Sequence, residues 1–217
     1  SFLADRSDTT NGLALFIVLF SAVVLFFSLR TSLERFRRVF RQSVPVLAFA
    51  AILDLIAGFV VEKRLKDLLE VEAILILLPA FLGIAGALGG ILSSRLSTQF
   101  HLGMDDASPL PSRSSLRGAI DLSLLAVPIF IFSGLVAHLI AVLAGQSTPG
   151  IAKLILISAI AGSIATLFVV VVAYYTTMGS FRFGLDPDTY GIPVVTSSLD
   201  LVGAFTVILA MVLTGVI

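Results

Sequence analysis

Six long apolar runs, separated by short polar links, organise the chain. They extend from Leu13 to Leu29, Val44 to Val61, Ala73 to Leu92, Ala119 to Leu143, Ile151 to Tyr175 and Ile192 to Ile217. Crossing the ~30 Å hydrocarbon core of a bilayer takes about 20 residues of α-helix, and every run but the shorter first is close to or beyond that length. Apolar side chains occupy both faces of each run, without the every-second-residue alternation of a lipid-facing β-strand. The pattern therefore predicts an all-α, polytopic membrane protein of six helices, the first the weakest span. Composition agrees. The chain is 58 % hydrophobic and 13 % charged, with no cysteine, where a soluble domain carries about 25 % charged residues. Lack of cysteine excludes a disulfide scaffold and thiolate chemistry. A formal net charge of +0 offers no field to attract nucleic acid.

The links set the expected orientation. Residues 30–41 form a basic amphipathic linker with Arg30, Arg35, Arg37, Arg38 and Arg41, which reads as a surface helix resting on anionic lipid headgroups. Together with Arg95, Arg113, Arg117 and Arg182 these make the richer side; Arg6, Lys63, Arg64, Lys66 and Lys153 make the poorer one. The richer side is expected to be cytoplasmic, which places both termini outside a multi-pass protein of the cell membrane. The amino-terminal flank, with Asp5, Arg6 and Asp8, does not read as a cleaved signal peptide. The link 103–115, with Asp105 and Asp106, reads as a solvated loop, and the turn 145–150 as a plain connection.

Ionisable groups at membrane depth cost several kcal/mol unless they are paired, hydrated or bound to an ion. Asp54, Asp121 and Asp200 fall inside apolar runs. Asp121 follows Arg117 by one helical turn and reads as its ion-pair partner. Asp54 is equally well read as a helix–helix hydrogen-bonding group. Asp200 is the strongest candidate for function, because Thr196 and Ser197, at i−4 and i−3, add hydroxyl oxygens on its face. Hard cations such as Mg²⁺ take carboxylate, hydroxyl, carbonyl and water oxygens. His138 and His101 read as packing residues. In the third run, Gly83, Gly86, Gly89 and Gly90 follow Pro79. That spacing allows a second backbone to approach closely, and the proline removes a donor and reads as a break exposing a carbonyl. Asp186 and Asp188 precede the sixth run in an Asp-Pro turn, with Pro193 early in the helix that follows and Gly203 beyond it. These two acids either cap or bind.

The stretch GLDPDTYGIPVVTSSLDLVG, Gly184 to Gly203, resembles the signature of the MgtE magnesium-transporter membrane domain, and PAFLGIAGALGGILSSRLSTQFHLG, Pro79 to Gly103, resembles its other half. The match is nearest the half-size prokaryotic members and the eukaryotic solute-carrier relatives. The resemblance implies a five-helix domain over 42–217, preceded by an additional helix and linker over 1–41. It also implies a homodimer with a pore on the two-fold axis. Asp200 becomes the principal Mg²⁺ ligand, Thr196 and Ser197 the hydroxyl pair, and Gly83, Gly86 and Ala87 the opposing wall. Asp54, Asp186 and Asp188 are accessory candidates, while Pro79, Gly89, Gly90, Pro193 and Gly203 shape the backbone. One departure is plain: where the family pattern has asparagine after P-x-x-x-G-x-x-G, this chain has Ala87.

The expected function is transport of divalent cations, foremost Mg²⁺, by a channel or by a carrier coupled to Na⁺ or H⁺. The alternative is a non-transporting or regulatory membrane subunit of the same fold, paired with another chain. Enzymatic function is not expected, since neither an HExxH metal motif nor a nucleophile–base arrangement occurs in the sequence.

Overall fold

The computed structural model describes residues 2–30 and 34–217, with side chains described for 12–27, 39–66 and 68–217. Seven helices occur among the described residues: α1 (Phe2–Arg30), α2 (Glu34–Lys63), the short α3 (Leu65–Leu69), α4 (Glu72–His101), α5 (Arg113–Leu143), α6 (Ile151–Arg182) and α7 (Pro187–Leu213). The all-α, polytopic architecture is as the apolar runs imply. Five of these helices are long and apolar enough to cross a membrane; in the first the apolar stretch Gly12–Phe27 is shorter. These five match the domain expected to follow one additional amino-terminal helix, and the first run, expected as the weakest span, is described with its side chains only over 12–27. The linker is not a separate element, because residues 34–41 belong to the helix that continues as the next span. Of its basic side chains only that of Arg41 is described; those of Arg30, Arg35, Arg37 and Arg38 lie outside the described residues, as do those of Asp5, Arg6 and Asp8.

The chain divides into two compact units, Ser1–Pro45 and Val46–Ile217. Within the second, α4 to α7 form a bundle in which α4 touches α5, α6 and α7, and α6 packs on both α5 and α7. Its centre is aromatic. Phe81 and Phe130 are fully buried with ring centroids 5.0 Å apart. Small residues let the helices approach around these rings, which matters because lipid supplies no hydrophobic drive between helices and association rests on packing. A Cβ on Gly134 of α5 would sit 2.9 Å from both the Ile155 Cα and the Leu154 carbonyl oxygen of α6. These are backbone atoms that no rotamer change can move. Gly162 lies directly under the Phe130 ring. Some hydroxyls inside the bundle are returned to the backbone: Ser158 donates to the Phe130 carbonyl at 2.7 Å, and Thr166 to the Gly162 carbonyl at 2.7 Å.

Helix ends are closed locally. After α5, Gly145 adopts φ +69°; its N–H bonds the Val142 carbonyl, and the Gln146 N–H bonds that of Ala141. This left-handed glycine cap satisfies the last carbonyls, and Gly103, Gly184 and Gly215 end α4, α6 and α7 in the same way. The turn 145–150 does more than connect. The Ser147 hydroxyl accepts from the Glu72 N–H at 3.0 Å, while the Ser147 N–H donates to the Glu72 carboxylate at 2.9 Å, so a distant turn caps α4. His138 packs as expected and contacts the Thr148 hydroxyl at 2.9 Å; His101 bonds the Ser97 carbonyl at 2.8 Å. At the other end, Asp105 is part of the protein scaffold. Its carboxylate accepts from Ser112, at 2.6 Å, and from Ser115. The Tyr174 hydroxyl and the Arg182 guanidinium then tie the loop to α6 through the carbonyls of Ser108, at 2.8 Å, and Ala107, at 2.5 Å.

The break expected at Pro79 is absent, since α4 runs unbroken from 72 to 101 with the proline inside it. The entry to α7 also differs. The helix starts at Pro187, so Pro193 lies in its second turn, not at its beginning. Asp186 is the N-cap, accepting from the Asp188 N–H at 3.3 Å and from the Thr189 hydroxyl.

Two outcomes follow for stability in detergent. Gly134→Ala should destabilise by about 1–3 kcal/mol through overpacking, while Gly179→Ala, where nothing lies within 4 Å, should be neutral or slightly stabilising; the thermal midpoints of the two variants make the comparison. Asp186→Ala should cost about 0.5–2 kcal/mol as a lost cap, and Asp186→Ser should recover most of it, again read as thermal midpoints.

Candidate functional site

The site is built where the glycine-rich face of α4 meets α7. A Cβ on Gly89 would lie 2.5 Å from the Val195 Cγ1 and 3.1 Å from the Leu199 Cδ1, and one on Gly203 would lie 2.5 Å from the Leu82 Cδ2. Gly86 and Gly90 face Thr196 and Ile192 at 3.6 and 3.9 Å. Glycines from both helices therefore close the gap, and the two run antiparallel in tight register. Gly83 takes no part: nothing lies within 4 Å of its Cβ position, and it is exposed together with Ala87. The packing seam consists of 86, 89 and 90, with 83 and 87 left along its open edge.

Asp200 stands at the midpoint of α7, on the side of the helix adjoining this seam, and is partly buried. One turn earlier, Thr196 turns its methyl group to Gly86. Its hydroxyl donates to the carbonyls of Ile192, at 3.0 Å, and Pro193, at 3.1 Å, which leaves oxygen lone pairs for a ligand. Ser197 departs from expectation: it is 5 % exposed, enclosed by the bundle instead of lying beside the carboxylate at the surface. Asp186 is committed to capping, and Asp188 is exposed in the first turn of α7. Both lie at the helix end, more than three turns from Asp200.

The structure adds a residue that sequence spacing left open. The exposed Asp54 carboxyl of α2 comes within interaction range of the Asp200 carboxyl. Two carboxylates near mid-span, facing each other in a medium of low dielectric, repel strongly unless a cation lies between them. Among the described residues no group of three or more His, Asp, Glu or Cys side chains converges. The oxygen set is thus two carboxylates and the Thr196 hydroxyl, which suits a hard, partly hydrated cation such as Mg²⁺. Asp121 is elsewhere. It forms no ion pair with Arg117, so the expected pairing is not made. Two buried hydroxyls, on Ser93 of α4 and Thr177 of α6, have no hydrogen-bond partner; no sequence motif marked them.

The family described as "MgtE: Divalent cation transporter" matches residues 78–210, more than half of the chain and nearly all of α4 to α7. Among curated proteins, solute carrier family 41 member 2 of Gallus gallus is 27 % identical over 184 residues, covering 78 % of this chain and 32 % of that protein. Its Xenopus laevis counterpart is 30 % identical over 159 residues, 70 % of this chain and 26 % of that protein. Solute carrier family 41 member 3 of Mus musculus is 25 % identical over 171 residues, 73 % and 35 % respectively. The chain spans about a third of the length of the curated relatives it matches. No solved structure gives a significant match. With the matched segment running through α4 and α7, the two helices of the glycine seam, the chain belongs to the MgtE family of divalent cation transporters.

Proposed function

We propose that this chain moves divalent cations, Mg²⁺ foremost, across the membrane, with Asp200 as the principal ligand. The observation that carries the reading is the pair of facing carboxyls, Asp200 and Asp54, beside a glycine seam. In this proposal Asp54 supplies the oxygen that the family asparagine would have provided at Ala87. Thr196 contributes its hydroxyl oxygen, and the absence of side chains at Gly83 and Gly86 leaves room for the ion and its waters. Ser197 shapes the helix interface from within. The mechanism involves no covalent chemistry. The carboxylates replace part of the hydration shell, and weak, partly hydrated binding lets the ion leave again.

The same observation supports a homodimer. Asp54, Gly83 and Ala87 are exposed in the single subunit, and a carboxylate turned to lipid near mid-span costs about 2.5–3.5 kcal/mol on insertion scales. A second copy across a two-fold axis would cover this edge and enclose the ion between symmetry-related carboxylates. The domain proper is taken as 42–217, with 1–41 preceding it. The Ala87 substitution is what favours the second reading, a non-transporting subunit that pairs with another chain, and flux measurements separate the two.

In proteoliposomes containing only this chain, Asp200→Asn should lower Mg²⁺ flux at least ~10-fold, equivalent to about 1.4 kcal/mol of lost stabilisation, with normal folding. Asp54→Asn should lower it less, by about threefold, because the main ligand remains. Imposing Na⁺ and pH gradients separately distinguishes channel from coupled carrier. Unchanged flux in Asp200→Asn, or no flux in the wild type, would favour the non-transporting subunit. Ala87→Asn, at an exposed position with space for the longer side chain, should raise the protection that Mg²⁺ gives against heat, since a ligand bound only by the folded state stabilises it. Equal Mg²⁺-dependent thermal shifts in wild type and variant would place position 87 outside the site.

A further inference from the structure

A polar cavity lies between α4 and α5, away from the carboxylate pair. It has a volume of about 260 Å³ and is lined by Arg95 and Gln99 of α4 and by Ser114, Arg117, Gly118 and Asp121 of α5. Its position is defined by the helix ends. Arg95 is six residues before His101, or about 9 Å along the axis, and Arg117 is four residues after Arg113, or about 6 Å. The cavity therefore begins at the depth of lipid headgroups and reaches down towards Asp121.

Three features suit this cavity to a ligand. The guanidinium groups of Arg95 and Arg117 make no ion pair with Asp121, although all three line the same cavity. The Gln99 side-chain amide oxygen Oε1 is buried and has no donor; a buried acceptor left unsatisfied costs about 1–3 kcal/mol. The cavity also shares Leu92, Leu96 and Ser115 with a neighbouring apolar cleft of about 140 Å³ bordered by Val170 and Val171 of α6. Polar and apolar compartments thus adjoin at the membrane surface, which is the amphiphilic character of a phospholipid.

Charge narrows the class. Two guanidiniums and one carboxylate sum to +1, complementary to a single phosphodiester. Guanidinium binds phosphate oxygens through short, charge-assisted hydrogen bonds, and basic cavities between transmembrane helices take anionic headgroups. The remaining acceptors, Asp121 and the Gln99 side-chain amide oxygen, call for donors beyond the phosphate. We propose that this cavity binds an anionic glycerophospholipid with a hydroxylated headgroup, of the phosphatidylglycerol type. Arg95 and Arg117 hold the phosphate, and Asp121 and Gln99 accept from the headgroup hydroxyls.

The test uses the full chain in neutral detergent, with lipid-dependent thermal stability and native mass spectrometry as readouts. Phosphatidylglycerol should raise the melting temperature and remain bound, whereas phosphatidylcholine at the same mole fraction should do neither. The Arg95→Gln/Arg117→Gln double variant should weaken apparent affinity by about tenfold or more. Gly118→Leu tests the cavity without touching a charge, because nothing lies within 4 Å of a Cβ there and the new side chain grows into open space; it should displace the lipid. Phosphatidic acid, which lacks headgroup hydroxyls, should bind the wild type less tightly, and Asp121→Asn should erase that preference. Undiminished lipid binding in both the arginine and the glycine variants overturns the proposal. Equal protection by millimolar inorganic phosphate overturns the lipid assignment in favour of a free anion. Equal affinity for phosphatidic acid overturns the role given to Asp121 and Gln99.

Discussion

The contact between α4 and α7 governs the rest of the architecture. Lipid chains are as apolar as leucine, so two helices in a bilayer gain by touching only when their surfaces fit closely. Gly89 admits Val195 and Leu199, and Gly203 admits Leu82 and Phe81. Glycine on both partners brings the backbones together over several turns, and this fixes the register that presents Thr196 to Gly86, with Asp200 one turn further along α7. A side chain added at either position would push the helices apart and carry the carboxylate away from its neighbours. The glycine cost in helix propensity, about 1 kcal/mol each in water, is offset by this packing.

Around that contact, polar groups are divided between structural work and the candidate site. Asp105, Asp186 and Glu72 all serve backbone or hydroxyl donors at helix ends. Asp54 and Asp200 have no such donors among the described residues and face each other instead. This division separates acids that shape the protein from acids available to an ion. It assigns Asp186 to the first class, although in sequence it could equally have belonged to the second.

Much of this was legible in the sequence, for identifiable reasons. Hydrophobic runs mark membrane helices because the bilayer demands length, and the runs found α2 and α4 to α7. Their ends were less legible. Helices extend past the hydrocarbon into polar residues, so α7 begins at Pro187 and α2 absorbs part of the basic linker. Proline reads as a breaker, yet Pro79 lies within a continuous helix, because neighbouring helices hold the backbone in place even where one hydrogen bond is missing. The glycines at 103, 145, 184 and 215 were a usable signal for the helix ends, since each adopts the left-handed conformation that closes one. Asp200 was accessible to spacing and motif together. The approach of Asp54 was not, because no periodicity within one helix specifies which face of another it meets.

The seam has a consequence for biogenesis. Helices emerge from the ribosome in chain order, and segments fold as they become available. The α5–α6 pair, joined by a short turn and locked through Gly134, has both partners in the membrane before α7 is synthesised. The glycine face of α4 must wait, shielded only by lipid or by its other neighbours, until α7 arrives. The contacts that Asp200 makes with earlier helices are therefore formed only once α7 is in place. The carboxylate pair is assembled only after α7 has joined the helices before it.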